Sequence, residues 1–146
     1  MSITQWDVIV VGAGLSGLVC ADALNKAGLN VCVIEKARGT GGRMSSKRLK
    51  VNDENLSFDL GAPYIQASHS EFEAWLEELE NEGVLRSMTF NQNNQTESAW
   101  VAPSRNSQLT RYLSQDLDVY FGEKVSGLNY DDGLWTLETQ SQLNAP

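Results

Sequence analysis

Three glycines and one acid form the pattern in this 146-residue chain that has the clearest chemical meaning. Gly12, Gly14 and Gly17 follow the β-branched apolar run Val8–Val11, and Glu35 closes the next apolar run. In a strand–turn–helix unit, such glycines permit a tight turn, close approach of the backbone to a pyrophosphate, and close packing of the helix on the strand. The N-terminus of the helix offers unpaired N–H groups and a positive dipole end to phosphates. The pattern therefore predicts a βαβ unit that binds a dinucleotide.

The acid narrows the choice of dinucleotide. Glu35 stands near the spacing of about 20 residues at which a carboxylate binds the ribose of such ligands. A carboxylate accepts hydrogen bonds from both ribose hydroxyls, but it repels a 2′-phosphate. NAD and FAD are therefore favoured over NADP. The predicted phosphate-binding turn contains Gly12, Ala13, Gly14, Leu15, Ser16 and Gly17.

A second glycine-rich loop, residues 36–44, follows the predicted second strand, Asn30–Ile34. It contains Arg38, Arg43 and three glycines. An NAD-binding domain usually continues from this point into a helix. A basic, glycine-rich loop can instead fold over a bound cofactor and bring guanidinium groups to its phosphates, which favours FAD.

Longer segments around these residues resemble a known family. Residues 35–45 read Glu-Lys-Ala-Arg-Gly-Thr-Gly-Gly-Arg-Met-Ser, and residues 58–64 read Phe-Asp-Leu-Gly-Ala-Pro-Tyr. Both resemble the flavin amine oxidase superfamily, and more closely its renalase-like bacterial flavoproteins. Further similar stretches extend the resemblance from Trp6 to about Leu137: Trp100–Pro103, Leu109–Leu113 and Val125–Leu137.

The resemblance implies an FAD-dependent oxidoreductase that transfers a hydride from a small-molecule substrate to flavin N5, followed by reoxidation with dioxygen. The implied substrate is an amine or a dihydronicotinamide-type compound. The implied cofactor contacts beyond the first turn and Glu35 are Lys36, Arg38, Gly42, Arg43 and Met44 in the second loop, Gly61, Ala62, Pro63 and Tyr64 beside the flavin ring, and Val125 beside adenine. Two simpler interpretations stay open: Lys36 as a solvated lysine and Val125 as a strand-core residue.

The predicted fold class is α/β, a Rossmann-like FAD/NAD(P)-binding βαβ domain with an inserted mixed α+β segment. The expected domains are a dinucleotide-binding unit over 1–60, a flavin-lining segment and the start of a substrate domain over 61–117, and returning strands over 118–146. Because members of the family are about twice as long, the resemblance implies that these residues are the N-terminal part of a longer protein. Weak FAD affinity, no sustained turnover, and self-association or pairing with a missing C-terminal half are then expected.

The remaining elements follow from periodicity and turn residues. Val8–Val11 is predicted to be a central strand buried on both faces. Helices are predicted over Ser16–Ala27, Glu71–Asn81 and Ser104–Gln115, the last with Leu109, Tyr112 and Leu113 inward. Further strands are expected over Ser87–Phe90, Ser98–Val101, Asp118–Phe121, Lys124–Tyr130 and Leu134–Thr139, with a hairpin or loop over Ser45–Phe58.

Composition excludes several classes of partner. The net charge of −8 argues against nucleic-acid binding and anionic membranes. No apolar run approaches the roughly 20 residues of a membrane span, and no signal peptide is recognisable. Cys20 and Cys32 are expected to be buried and reduced in a cytoplasmic protein.

Candidates for a self-contained catalyst are few. The single histidine, His69, lies between two serines and fits a capping or surface position better than a catalytic one. A zinc site is not expected, and no catalytic residue is assigned. Two alternatives to the flavoenzyme stay open: an NAD-dependent dehydrogenase and a non-catalytic nucleotide-binding protein.

Overall fold

The computed structural model describes residues 5–92 and 95–141. Its elements in chain order are β1 Val8–Val11, α1 Leu15–Lys26, β2 Val31–Glu35, a short 3-10 helix Gly42–Met44, β3 Ser46–Val51, β4 Glu54–Asp59, α2 Ser70–Asn81, β5 Arg86–Gln92, β6 Gln95–Val101, α3 Ser107–Leu113, β7 Asp118–Phe121, β8 Glu123–Asp131 and β9 Leu134–Ser141.

The chain divides into two compact units. Unit 1 comprises Met1–Gly42 and Leu113–Pro146, and unit 2 comprises Arg43–Tyr112. These divisions differ from the expected boundaries after residues 60 and 117. The β3–β4 hairpin belongs to unit 2 because its first and last residues, Ser46 and Asp59, bond to the backbone at the start of α3.

Unit 1 contains a parallel sheet in the order β1-β2-β7. β2 lies in the middle and is almost wholly buried, as its apolar sequence requires. The prediction that β1 is a central strand buried on both faces is wrong for the described sheet. β1 lies at the edge of these three strands, and 58% of Val11 is exposed at its end.

Helix α1 covers this sheet with small and apolar residues. Leu18 and Ala21 are buried, and they form one cluster with Val31 and Val33 of the middle strand. The predicted helix is confirmed to within one residue at each end. Gly28 follows it with a φ of +87°, a conformation that glycine adopts without strain and that ends a helix.

The β8–β9 hairpin is antiparallel and confirms the pairing predicted from its turn residues. Asp132 and Gly133 have φ angles of +48° and +81°, as a two-residue type I′ turn requires. The pairing register shifts between Val125 and Gly127, which marks a β-bulge.

Unit 2 contains two antiparallel hairpins, β3–β4 and β5–β6, and the helices α2 and α3. β3 and β4 meet in a two-residue turn at Asn52 and Asp53, both with positive φ, so the hairpin alternative for this segment is the right one. Helix α2 buries Leu76 and Leu79, three residues apart on one face.

Helix α3 is shorter than predicted. It begins at Ser107 because the buried Asn106 bonds to neighbouring backbone instead: its Oδ1 accepts from Ala102 N at 3.2 Å and its Nδ2 donates to the Ala62 carbonyl at 2.9 Å. Tyr112 was expected to point inward, but 37% of it is exposed. Its hydroxyl donates to Glu82 at 2.7 Å, which explains why this amphipathic side chain stays at the surface.

Two further expectations concern cysteines and membranes. Cys32 is buried on β2, whereas Cys20 is exposed on α1, so the prediction that both are buried is wrong for Cys20. α1 presents Leu18 and Ala21 to the sheet, and these positions leave Cys20 on its outer side. Within the described ranges, no helix combines the length and apolar character needed to cross a membrane.

Candidate nucleotide-binding site

The turn between β1 and α1 has the geometry that its glycines predict. Gly12 has a φ of +105°, and a Cβ built on it meets no atom within 4 Å. A Cβ on Gly17 would lie 2.1 Å from the Gly12 carbonyl oxygen, so only glycine lets the helix approach the strand this closely. Gly14 is the N-cap of α1, and no side chain caps the helix.

Glu35 is a nearly buried carboxylate at the end of β2, with only 8% of the residue exposed. Its Oε2 accepts from Ala13 N at 2.7 Å, and its Oε1 accepts from Ala37 N at 2.7 Å. The acid therefore fixes the glycine turn and the first residues of the second loop together. An ionised carboxylate has about four lone-pair sites, so each oxygen retains capacity for a further donor.

The second glycine-rich loop lies against the first. Gly41 N donates to the Ala13 carbonyl at 3.0 Å, and Gly14 and Gly41 form a parallel bridge. A Cβ on Gly42 would lie 3.3 Å from the Gly14 Cα. The two loops thus approach each other through glycine backbone on both sides.

A cavity of about 330 Å³ opens beside this turn, within unit 1. This volume is at the lower end of the roughly 300–1,000 Å³ typical of ligand pockets. The cavity lies where β1 and β2 end, which is where ligands bind to open parallel sheets. Its lining residues are Val11, Gly12, Ile34, Glu35, Lys36, Glu123, Lys124 and Val125.

The structure brings together only part of the predicted site. The first turn, Glu35, Lys36 and Val125 meet in or beside the cavity, and Val125 lies within β8. Arg38 is exposed in the second loop and does not line the cavity. The other predicted contacts, Arg43, Met44 and the 61–64 segment, belong to unit 2.

Within unit 2, packing accounts for two of those residues. Met44 is buried, with 4% of it exposed. A Cβ on Gly61 would lie 2.0 Å from the Arg43 carbonyl oxygen, and Ala62 N donates to the same oxygen at 2.8 Å. The chain therefore requires glycine at position 61 for its own folding. Tyr64 lies beside Phe90, with ring centroids 5.1 Å apart.

Besides the strand residues Val11 and Ile34, sequence reasoning missed two residues of the cavity, Glu123 and Lys124. Both follow Gly122, which has a φ of +74° and donates its N–H to the Ala37 carbonyl at 2.9 Å. This bond holds the β7–β8 connection against the second loop. The glycine directly after the predicted strand Asp118–Phe121 is the sequence signal that could have placed a turn at this edge.

A family model matches this region. Residues 10–79 match the NAD(P)-binding Rossmann-like domain. The chain has a Rossmann-like nucleotide-binding fold. The match begins in β1 and includes both glycine-rich loops and most of α2.

Several sequence relatives are flavin-containing amine oxidases by name. The chain is 41% identical over 76 residues to a probable flavin-containing monoamine oxidase A of Dictyostelium discoideum. The aligned region covers 52% of this chain and 16% of that protein. It is 42% identical over 60 residues to the flavin-containing amine oxidase A of Sus scrofa, covering 40% of this chain and 11% of the relative. The chain thus spans less than a fifth of the length of these two relatives.

Solved structures share the fold over most of the chain. A flavoprotein/dehydrogenase from Cytophaga hutchinsonii superposes with a TM-score of 0.59 at 17% identity, covering 98% of this chain and 36% of that chain. At that identity the likeness concerns the fold alone. The sequence similarities support a relationship to the flavin amine oxidase superfamily as a whole, and they do not distinguish its renalase-like branch.

Proposed function

We propose that unit 1 binds FAD, and that this chain supplies the nucleotide-binding part of a flavin-dependent oxidoreductase. The observation that carries the proposal is the juxtaposition of the glycine turn, the buried Glu35 and an open cavity at the ends of parallel strands. The flavin-containing relatives favour FAD over NAD. The proposed substrate class is a small amine or dihydronicotinamide-type compound, as in the renalase-like proteins that the sequence resembles.

The glycine turn suits a pyrophosphate. The first N–H groups of a helix have no acceptor within the helix, and α1 has no side chain that caps them. Space is open beside Gly12, where a Cβ would meet nothing within 4 Å. An anion placed there would accept from these N–H groups and neutralise the positive end of the helix dipole. The first turn would hold the phosphates with backbone alone.

The cavity suits the adenosine part. Glu35 retains acceptor capacity for ribose hydroxyls after it has bound two backbone N–H groups. Val11, Ile34 and Val125 provide apolar lining for a base. Lys36 and Lys124 lie at the same cavity and would offset the charge of a dinucleotide phosphate.

Bound flavin would supply the redox chemistry, accepting a hydride from the substrate and passing electrons to dioxygen. The task of this chain would be to bind and orient the nucleotide. Arg38 and Arg43 would reinforce phosphate binding, and the 61–64 segment would line the ring. These roles come from the resemblance.

Gly14→Val tests the site directly. The free chain accommodates a Cβ at Gly14, since the nearest atom would be the Gly42 Cα at 4.0 Å. The substitution should therefore leave the chain folded while its branched side chain blocks the approach of a pyrophosphate. We expect loss of FAD binding in a fluorescence titration, with an unchanged circular dichroism spectrum.

Cys20→Val is the control, because it introduces the same branched side chain at an exposed position on the outer side of α1, away from both glycine-rich loops. It should bind FAD like the wild type. Equal affinities of the Gly14→Val variant and the wild type would contradict the assignment of the first turn to the phosphates.

A further inference from the structure

Four of the six arginines in the chain, Arg48, Arg86, Arg105 and Arg111, lie within unit 2 and have no part in the proposed nucleotide site. Arg48 is on β3, Arg105 directly precedes the buried Asn106, and Arg111 is on α3.

Hydrogen bonds join β3 to the start of α3. Ser46 and Asp59 face each other across the β3–β4 hairpin, and the Ser46 hydroxyl donates to Asp59 Oδ1 at 2.6 Å. Asn106 N donates to the same Asp59 oxygen at 3.0 Å. Ser107 N donates to the Ser46 hydroxyl at 3.2 Å. The start of α3 therefore lies on the polar face of this hairpin.

This arrangement places the backbone positions of Arg48, Arg105 and Arg111 in one region of unit 2. Arg48 is two residues after Ser46, so it lies on the same face of β3. Arg105 directly precedes Asn106, whose backbone N donates to Asp59, so the Arg105 backbone lies next to that face. Arg111 follows Ser107 by four residues and is therefore on the same side of α3, about one turn further along.

The electrostatics of Arg105 show that these groups act on one another. Burial lowers the pKa of its guanidinium, and the positive charges of Arg48 and Arg111 lower it further, while Asp59 raises it. Asp59 already accepts hydrogen bonds from the Ser46 hydroxyl and Asn106 N. An anion that binds between like charges removes the energetic cost of holding them together.

We propose that Arg48, Arg105 and Arg111 form a binding site for a phosphate-type dianion, either free phosphate or the phosphoryl group of a small metabolite. Planar guanidinium groups bind tetrahedral oxyanions through paired N–H donors. A dianion is favoured over a monoanionic carboxylate because it can pair with more than one guanidinium group. The proposal does not depend on FAD binding by unit 1.

Amide NMR spectra of the whole chain, titrated with inorganic phosphate, test this site. Acetate at equal ionic strength is the monoanion control, and glycerol 3-phosphate separates a phosphate ester from the free ion. We expect saturable shifts at the amides of residues 46–48 and 105–111, with no saturation by acetate. Tighter binding of the ester would identify the phosphoryl group of a metabolite as the ligand, and equal or weaker binding would identify the free ion. No saturable shift with either by about 20 mM would overturn the proposal.

Arg48→Gln and Arg105→Gln should each weaken phosphate binding by at least about tenfold, since each removes charged hydrogen bonds. Arg86→Gln, on β5, removes an equal charge outside the cluster and should bind phosphate like the wild type. An equal loss of phosphate affinity in all three variants would show that any positive charge attracts the ion equally. That result would overturn the proposed site. If Arg105→Gln does not fold, the phosphate affinity of Arg48→Gln, a change at an exposed position, tests the proposal.

Gly14→Val separates this site from the proposed nucleotide site. The variant should keep the phosphate-dependent shifts in unit 2. Loss of those shifts in Gly14→Val would assign the ion to the glycine turn and contradict the proposal.

Discussion

At the scale of single residues, Gly17 carries the sharpest structural prediction. A Cβ at this position would lie 2.1 Å from the Gly12 carbonyl oxygen, which belongs to backbone and cannot rotate away. Gly17→Ala should therefore lower the free energy of unfolding by about 1–3 kcal/mol, as overpacking does in a tight core. Urea unfolding followed by circular dichroism measures the change.

Gly39→Ala is the control for this effect. It adds the same methyl group where no atom lies within 4 Å. Its unfolding free energy should stay within about 0.5 kcal/mol of the wild type. A Gly17→Ala chain as stable as the control would show that the helix does not need the close approach seen here.

Glu35 is predicted to stabilise the free chain as well as the bound nucleotide. In Glu35→Gln one of two backbone donors, Ala13 N or Ala37 N, faces an amide NH₂ instead of an oxygen. An unsatisfied buried donor costs about 1–3 kcal/mol, so stability should fall even without cofactor. FAD affinity should also fall, by about 1.5–3 kcal/mol, because a charged acceptor is lost.

Urea unfolding without cofactor and FAD titration measure the two effects separately. Glu123→Gln removes an equal charge from the cavity lining and should leave unfolding unchanged within about 0.5 kcal/mol. A Glu35→Gln chain with wild-type stability would mean that the carboxylate does not hold the two loops together.

At the scale of elements, the cysteines of α1 and β2 should differ in reactivity. Burial raises the pKa of the Cys32 thiol to about 11, and the neighbouring Asp118 adds to the rise. Cys20 is exposed on α1. Because the thiolate is the reactive form, one thiol per chain should react with a maleimide near neutral pH, and both should react in urea.

Cys20→Ser should remove the fast reaction with maleimide and leave only the slow reaction of Cys32. Two fast thiols in the native chain would contradict the burial of Cys32 on the middle strand.

Acid should loosen the contact between α2 and the β5–β6 hairpin. Glu80 accepts from both the N–H and the hydroxyl of Ser87 and from the Trp100 indole, and these bonds lower its pKa below the ordinary 4.5. Since the pKa is lower in the folded chain, the stabilisation is present above the unfolded pKa and is lost as pH falls through the folded value.

The urea midpoint of the wild type should therefore drop more steeply below about pH 4.5 than that of Glu80→Gln. Glu77→Gln, an exposed change on the same helix, should follow the wild-type curve. Parallel curves for the wild type and Glu80→Gln would show that Glu80 does not contribute to the loss of stability in acid.

Local signals explain which elements the sequence predicts well. Turn residues fix the β8–β9 hairpin, because Asp132 and Gly133 adopt the positive φ angles that such turns need. Helix α1 follows from its glycines and apolar spacing. The edge position of β1 could not be predicted, since strand order depends on contacts distant in sequence. The bonds of Asn106 that shorten α3 are likewise tertiary.

The candidate site likewise contains residues that the sequence predicts and residues that only tertiary contacts place there. Its first turn and Glu35 lie within one short βαβ segment, so spacing predicts them. Glu123 and Lys124 reach the cavity only because Gly122 bonds to the second loop. The roles of Arg43 and of residues 61–64 rest on resemblance and stay predictions.

At the scale of the whole molecule, we expect self-association. One face of the β8–β9 hairpin presents Leu128, Tyr130, Trp135 and Leu137, and Tyr130 and Trp135 pair across the strands at 5.0 Å. Trp135 is 64% exposed. Exposed apolar patches of this kind favour association, so the sedimentation-derived mass should rise with concentration.

Trp135→Ser should reduce the increase of the sedimentation-derived mass with concentration. Thr136→Ser, on the opposite face of β9, is the control and should behave like the wild type. A monomeric mass at every concentration would contradict the expectation.

The visible absorption spectrum of the chain, purified and then incubated with FAD or NAD and freed of unbound ligand, tests the central claim most directly. If unit 1 binds FAD, the protein should keep a flavin band near roughly 450 nm after rapid removal of free ligand, and it should lose that band on prolonged exchange against buffer because the expected affinity is weak. Gly14→Val should lose the band, and NAD should not compete for the site. A wild-type chain that retains no flavin, or that loses its flavin when NAD is added, would contradict the account.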